Sequence, residues 1–256
     1  MRMEILPTSL LQEYKNRFPK NFGERFVALA ESKLSTTTFD YYASASAVFS
    51  SKIEGEVTEP EVYIKYKKLG EQPQPVYPQK IDDLYEAYIF AQDNNLDELG
   101  VNYAHTLITK NILPETHQGK YRLNNMYLTD AAGQLDYVAA EPDKIFPKMA
   151  KLYHDIKTLL DEQLTIEEVF YFAAMIHLVF VKVHPYEDGN GLTARLVEKW
   201  FMAQKLGTTA WHIQSERNYS DNRQLYFDNI RKLGIDFNDI DFSQSLPFAL
   251  MLPESV

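Results

Sequence analysis

The sequence feature that most constrains the fold is an apolar run, VFYFAAMIHLVFV, at positions 169–181. The run is broken only by His177 and is too long for a typical strand, so it predicts a fully buried helix. Thr165 and Glu168 have the spacing of a capping box and predict where this helix begins.

A polar loop follows this helix and leads into a second one. Leu192 to Leu206 has a helical pattern that stops at Gly207, a residue typical of helix C-termini. The intervening residues, HPYEDGNGLTAR at 184–195, are therefore predicted to form a tight turn between two helices.

The loop has the composition of an anion site. Gly189 and Gly191 let the backbone turn sharply and approach a ligand, and Asn190 adds an amide between them. The following helix offers unpaired N–H groups and the positive end of its dipole. Arg195 lies one turn into that helix and can reach the same anion with a forked guanidinium. Phosphate is the expected ligand.

Two further side chains complete a candidate reaction centre. Asp188 is a hard oxygen ligand that can hold Mg²⁺ together with phosphates. His184 is placed to take a proton from an attacking hydroxyl. Each residue taken singly also fits an ordinary interhelical turn with a capping histidine, but the joint pattern favours a reaction centre. Neither the GxxxxGK[ST] phosphate loop nor an HExxH zinc helix is present.

Residues 184–195 resemble the Fic family signature HPFx(D/E)GNGRxxR, whose members transfer AMP from ATP to hydroxyl side chains of target proteins. The resemblance implies a general base, a Mg²⁺ ligand, an anion-binding turn and a distal phosphate contact, with ATP as co-substrate. The general base would be His184 and the Mg²⁺ ligand Asp188. The anion-binding turn would be Gly189, Asn190 and Gly191, and the distal phosphate contact Arg195.

The chain departs from that signature at two positions. Tyr186 replaces phenylalanine and keeps an aromatic side chain under the loop. Leu192 replaces the first arginine, which in the family contacts the nucleotide phosphates. This leaves three alternatives open: another phosphate-containing donor, removal of AMP by a water that Glu54 positions, or a degenerate fold that binds a nucleotide or a partner strand without catalysis.

A second motif lies near the N-terminus. Residues 36–56 have helical spacing and end at Gly55, which taken alone predicts a packing helix. Ser50 to Gly55 is, however, similar to the (S/T)xxxE(G/N) inhibitory motif of many Fic proteins. The resemblance implies that Glu54 pairs with Arg195 and blocks the γ-phosphate position. Ser50 is expected to hold the helix end or to steady Glu54.

A hairpin is predicted at residues 126–138, with a turn at 130–134. Taken alone it is a surface hairpin. In the Fic family such a flap lies over the active site, and its free edge pairs with an extended segment of the target protein, which is strand addition. The expected target-binding residues are Met126, Tyr127, Leu128 and Tyr137.

Residues 220–233 are predicted to form one helix. Its aromatic side chains are first expected to fill the core. In Fic proteins residues from this region line the adenine pocket, so the resemblance makes Asn222 and Tyr226 candidate nucleotide contacts. The last twenty residues are expected to be a weakly patterned tail.

Composition limits the remaining possibilities. A net charge of −10 over 256 residues argues against nucleic acid as a partner. No cysteine is present, the N-terminus lacks the apolar core of a signal peptide and the longest apolar run is too short to span a bilayer, so a cytoplasmic protein is expected. A homodimer stays open.

The predicted fold is mainly α: a Fic-type helical bundle with a small β-hairpin flap over the active site. Three prolines at 71–78 predict an extended connector. The expected division is an N-terminal helical segment with the inhibitory helix, 1–78, and a catalytic core, 79–256.

Overall fold

The computed structural model describes residues 3–31, 38–69, 79–129 and 132–256. Within them the protein is mainly helical, with one two-stranded antiparallel sheet, as predicted. The elements are α1 Leu11–Arg17, α2 Phe22–Glu31, α3 Thr38–Ile53, α4 Pro60–Leu69, α5 Gln79–Asp93, α6 Glu98–Ile108, β1 Tyr127–Thr129, β2 Leu135–Val138, α7 Pro142–Asp161, α8 Ile166–Val183, α9 Asn190–Leu206, α10 Ser215–Asp221, α11 Arg223–Arg231 and α12 Leu246–Ala249. Short 3-10 turns occupy Thr208–His212, Phe237–Asp239, Phe242–Gln244 and Leu252–Ser255.

Helix α8 lies at the centre of the core. The predicted capping box is present: the Thr165 hydroxyl accepts the N–H of Glu168, and the Glu168 carboxylate accepts the N–H of Thr165. Nearly every side chain of α8 is buried, because α1, α7, α9 and α12 pack around it. The loop after α8 is thereby attached to a helix that is buried along most of its length.

Helix α3 packs against α5, α9 and α10 and ends in a Schellman motif. The N–H of Gly55 donates to the carbonyl of Lys52, and the N–H of Glu56 donates to that of Ser51, both at 3.1 Å. Gly55 has φ +100°, which suits glycine and strains other residues. The turn therefore carries two carboxylates, Glu54 and Glu56, on either side of a glycine.

The hairpin pairs Tyr127 with Val138 and Leu128 with Tyr137, with an irregularity before Thr129. Residues 130 and 131 of the predicted turn lie outside the described residues. The Tyr137 hydroxyl donates to the carbonyl of Lys182 at 2.6 Å and so anchors β2 to the end of α8. Beyond β2, Val138 bridges to Asp236, while no strand among the described residues pairs with the outer edge of β1.

Two expectations about the C-terminal part are wrong. The single helix predicted at 220–233 is divided between α10 and α11 at Asn222, whose ψ of 38° is not helical. The Asn222 amide donates to the carbonyl of Asn218, a local side-chain bond that competes with helix continuation. The last twenty residues, expected to be a weakly patterned tail, instead pack into the core, because apolar side chains at Leu246, Phe248 and Leu252 are buried.

The predicted connector at 71–78 lies outside the described residues, and the division at residue 78 stays a prediction. Across the described part of the chain, no helix combines the length and the apolar character needed to cross a membrane.

Candidate active site

The loop between α8 and α9 begins at His184, which caps α8 in the left-handed conformation, with φ 53° and ψ 62°. A buried arginine, Arg122, holds this strained position: its Nε donates to the His184 carbonyl at 2.8 Å, and its backbone N–H donates to the carbonyl of Pro185 at 2.9 Å. With this backbone conformation His184 lines a cavity.

The His184 ring is suited to accept a proton. Nδ1 lies 3.4 Å from the carbonyl of Val181, so a proton on Nδ1 leaves Nε2 as the acceptor. Burial lowers the pKa of His184 to about 4, with the positive charge of Arg122 adding to the effect. The imidazole is therefore neutral at physiological pH.

The loop is closed from within by Asn190 and Tyr186. The backbone N–H of Tyr186 donates to the Asn190 amide oxygen and the Asn190 amide nitrogen donates to the Tyr186 carbonyl, both at 2.9 Å. Asn190 therefore shapes the turn with its side chain. Tyr186 is fully buried, and its hydroxyl donates to Asn102 at 2.6 Å.

A residue that the sequence did not single out, His105 of α6, supports the loop from below. Its ring stacks on Tyr186 with centroids 3.7 Å apart. Nδ1 accepts the N–H of Gly119 and Nε2 lies 2.9 Å from the carbonyl of Asp188, so Nε2 carries the proton and donates. Burial lowers the pKa of His105 to about 4, which keeps this tautomer neutral.

The turn itself opens helix α9. Gly189 caps the helix with φ 73°, and Gly191 leaves a space above the first turn. A Cβ at position 191 would lie 2.6 Å from Oε1 of Glu54 and 3.2 Å from Nη1 of Arg195. Glu54, from the other end of the sequence, thus lies directly over the predicted anion-binding turn.

Arg195 is buried, and three residues accept from its guanidinium. Its Nε donates to the Ser50 hydroxyl at 2.7 Å, Nη2 donates to Glu54 at 2.6 Å and Nη1 donates to the Tyr226 hydroxyl at 3.2 Å. The pairing of Glu54 with Arg195 is as predicted. Ser50, expected to act on the helix end or on Glu54, instead orients Arg195.

The contacts between α3 and α9 continue as a polar ladder. One turn from the Ser50 to Arg195 bond, Lys199 donates to the Ser46 hydroxyl at 2.7 Å and also to Glu216, and all three side chains are buried. The two helices therefore run antiparallel, joined at two successive turns.

Tyr226 extends the contacts of Arg195 into the core. Its hydroxyl lies 2.9 Å from Nε2 of His177, whose Nδ1 lies 2.8 Å from Glu198. The Tyr219 hydroxyl donates to the same Glu198 oxygen at 2.9 Å. His177, the one interruption of the apolar run, is thus a fully buried member of a hydrogen-bonded chain that ends at Arg195.

A cavity of about 420 Å³ unites these parts. It is lined by Glu54, His184, Asp188, Gly189, Asn190, Gly191, Leu192, Arg195 and Tyr226, and by Leu128 and Tyr137 of the hairpin. Leu192 is almost fully buried and packs with the core. Because its side chain is apolar, position 192 offers no polar group to the cavity.

Five predicted site residues do not line this cavity: Ser50, Gly55, Met126, Tyr127 and Asn222. Ser50 acts through Arg195, Gly55 shapes the turn after α3, and Tyr127 is exposed on β1. Asn222 is also not brought to the cavity, because its side chain is exposed and bonded to Asn218.

Comparison with known proteins identifies a family model that matches part of the chain. Residues 95–202 match the sequence model of the Fic/DOC family, so the chain contains a Fic/DOC family domain. None of the curated proteins compared with the sequence matches it.

Solved structures extend the likeness beyond that domain. A Fic family protein from Desulfovibrio desulfuricans G20 has a TM-score of 0.77 at 19% identity, over 100% of this chain and 74% of the other. A Fic domain containing signaling protein from Bacteroides thetaiotaomicron VPI-5482 has a TM-score of 0.67 at 17% identity, over 96% of this chain and 90% of the other. Fic-1 from C. elegans has a TM-score of 0.65 at 17% identity, over 96% of this chain and 68% of the other. At these identities the structures show a shared fold.

Proposed function

We propose that this protein is an adenylyltransferase that moves AMP from ATP to a Ser, Thr or Tyr hydroxyl of a target protein. The observation that carries the proposal is that one cavity contains a neutral imidazole, a helix N-terminus with a glycine in its first turn, and a buried arginine: His184, Gly191 and Arg195. Fic domain proteins are generally transferases, which supports the same class of reaction.

The anion end of the cavity suits the phosphates of a nucleotide. The first N–H groups of α9 have no partners within their own helix, and Gly191 allows a ligand to approach them. Arg195 supplies a fixed positive charge, because Ser50 and Tyr226 hold its guanidinium.

Asp188 fits the role of Mg²⁺ ligand. Its side chain is exposed and lines the cavity, and one carboxylate oxygen accepts the N–H of Gly189 at 2.7 Å, which restricts the orientation of the carboxylate. No cluster of three His, Asp or Glu residues that could hold a metal occurs among the described residues, so a single carboxylate acting with phosphate oxygens is the proposed arrangement. When bound, the ion would neutralise phosphate charge.

In the proposed reaction, the target hydroxyl attacks the α-phosphorus of ATP. Nε2 of His184 takes the hydroxyl proton as the new O–P bond forms, and the bond from the α-phosphorus to the bridging oxygen breaks to release pyrophosphate. The α9 N-terminus stabilises the charge that develops on the α-phosphate. The outer edge of β1 is proposed to hold the target by strand addition, close to His184.

Glu54 is proposed to keep this activity low. Its carboxylate accepts from Nη2 of Arg195 and fills the space next to Gly191. A terminal phosphate would need both the same donor and the same space. A carboxylate and a phosphate compete for the same guanidinium fork, so displacement of Glu54 is required before ATP binds fully.

The test uses the Glu54→Gly variant, with and without His184→Ala. Each protein is incubated with ATP and Mg²⁺, and intact-mass spectrometry measures auto-modification by AMP. We expect an adduct in Glu54→Gly, little in the unmodified sequence and none once His184 is replaced. Glu59→Gln serves as the control, because Glu59 is exposed on the same segment and pairs with Lys52, away from the cavity. Equal adduct in all four proteins would overturn the proposal.

A further inference from the structure

The cavity has few side chains with which to hold a polyphosphate. Helix α9 contributes one cation, Arg195, because the residue one turn earlier, Leu192, is apolar and buried in the core. Among the residues that the structure describes, three other cationic side chains line the cavity: Lys80, Lys182 and Arg231.

The three differ in how firmly they are held. Lys182 is almost fully buried and donates to the carbonyl of Gly234 at 2.8 Å, and burial lowers its pKa to about 8. Arg231 pairs with Asp136 of the hairpin at 2.6 Å. Lys80, at the start of α5, has a side chain that is 47% exposed, and its ion pair with Glu56 is long, at 3.5 Å. Of the three, Lys80 exchanges its partner at the lowest cost, since exposed pairs of this kind contribute at most about 1 kcal/mol.

The partner of Lys80 is the second carboxylate of the turn after α3. Glu54 and Glu56 flank Gly55 and are fixed by the same Schellman motif, and both line the cavity. Each pairs with a cation of a different helix, Arg195 of α9 or Lys80 of α5. The turn after α3 therefore pairs with two cations of the cavity at once.

We propose that Lys80 is a second contact for the polyphosphate of the nucleotide, and that Glu56 masks Lys80 as Glu54 masks Arg195. Lys80 would supply the charge that position 192 does not. This inference rests on the proposed function, because it concerns the same cavity.

The chemistry of lysine suits this role. Its ammonium is a compact charge on a flexible stem, so it reaches a phosphate oxygen without the planar geometry that an arginine demands. A move of the Glu54 to Glu56 turn would free both cations together, and both would then face the phosphates.

The experiment is a calorimetric titration in the Glu54→Gly background, with ATP, tripolyphosphate and AMP as separate ligands in Mg²⁺. Lys80→Gln is expected to weaken binding of ATP and tripolyphosphate by roughly five- to tenfold, and to change AMP binding less. Glu56→Gln is expected to tighten both by roughly two- to fivefold, because it removes the competing carboxylate.

Matched controls come from the neighbouring pair Lys52 and Glu59, which joins the same segment at 3.0 Å but does not line the cavity. Lys52→Gln and Glu59→Gln should leave all three affinities unchanged. Equal weakening by Lys52→Gln and Lys80→Gln would mean that only the overall charge matters, and would overturn the inference.

The outcomes separate the inference from the proposed function. If Glu54→Gly binds ATP and forms the AMP adduct but Lys80→Gln binds equally well, the role of Lys80 is wrong and the transferase proposal stands. If Lys80→Gln weakens tripolyphosphate binding while no variant forms an adduct, Lys80 is a phosphate contact and the proposed transfer fails. If Glu54→Gly binds neither ATP nor tripolyphosphate, both are wrong.

Discussion

The Nε–H of Arg195 donates to the hydroxyl of Ser50 at 2.7 Å, inside the contact between two antiparallel helices. Nη2 of the same guanidinium also lies 3.3 Å from the Ser50 carbonyl, so this one serine accepts from two nitrogens of Arg195. The orientation of the arginine that faces the cavity is thus set by a residue outside the cavity.

Replacement of Ser50 by alanine should therefore weaken both the fold and phosphate binding. The buried Nε–H would lose its acceptor, and an unpaired buried polar group of this kind costs about 1–3 kcal/mol of the free energy of unfolding. Urea denaturation measures that loss. In the Glu54→Gly background, calorimetry with Mg²⁺ and ATP should show lower affinity.

Ser44→Ala is the control for this prediction, because Ser44 is also buried on α3 and makes no contact with Arg195 among the described residues. If Ser44→Ala lowers ATP affinity as much as Ser50→Ala does, general loosening of α3 explains the effect and the orienting role of Ser50 is wrong.

The substitution Gly55→Ala should release the turn after α3. Gly55 has φ +100°, and a side chain there would meet no atom within 4 Å, so the cost is backbone strain and not steric overlap. Strain of about 1–2 kcal/mol would weaken the Schellman motif that holds Glu54 and Glu56. We expect an AMP adduct by mass spectrometry between the levels of the unmodified protein and Glu54→Gly. Gly133→Ala, at another positive φ without neighbours within 4 Å, should not raise adduct formation.

Activity should persist at acidic pH. Because burial lowers the pKa of His184 to about 4, the imidazole stays unprotonated, and able to act as a base, well below the pH at which an exposed histidine gains its proton. Glu54 raises this pKa, so its removal in Glu54→Gly does not move the value upward. The kcat/KM of that variant should be level from about pH 8 to about pH 5.5. A fall centred near pH 6.5, with circular dichroism unchanged, would contradict the assignment of His184 as a base with a lowered pKa.

The free energy of unfolding should decrease over the same acidic range, because the unfolded chain gains a proton on His105 more readily than the folded protein does. The pKa of His105 is lowered from 6.5 to about 4 in the folded protein, so the unfolded chain binds the proton first as pH falls. The contribution is fully present above pH 6.5 and is lost as pH falls toward 4, at most roughly 3 kcal/mol for this group. Chemical denaturation from pH 7 to pH 4 measures the decline.

His105→Phe separates this effect from other titrations. The ring would keep its stacking position on Tyr186 but lose the hydrogen bonds to Gly119 and Asp188. The variant should be less stable at pH 7 and should lose less stability between pH 6.5 and pH 4. If the variant loses as much stability between pH 6.5 and pH 4 as the unmodified protein, His105 is not the cause of the acid-induced loss.

The sequence predicts the local elements well where a strong periodic signal exists. The apolar run with its capping box defines α8, the glycine-rich loop defines the start of α9, and the alternating segments define the hairpin. The pairing of Glu54 with Arg195 is also found, because a resemblance joins two distant motifs.

The rest of the site depends on tertiary contacts, which produce no periodic pattern in the sequence. His105, Arg122 and Lys80 reach the loop and the cavity from helices or segments far away in sequence. His177 did leave a signal, since a single histidine within an apolar run must find buried partners. Asn222 failed as a site residue because its own local hydrogen bonds turn it away.

The ladder between α3 and α9 determines which part of α3 is free to move. Separating the two helices would strip Arg195 and Lys199, each about 1% exposed, of their serine partners, and leaving a buried charge unsatisfied costs several kcal/mol. Glu54, at 43% exposure, is outside that ladder. Motion that uncovers Arg195 is therefore confined to the three residues after Ile53, and a compound that immobilises this turn should block the gain of ATP binding that the proposed displacement of Glu54 would bring.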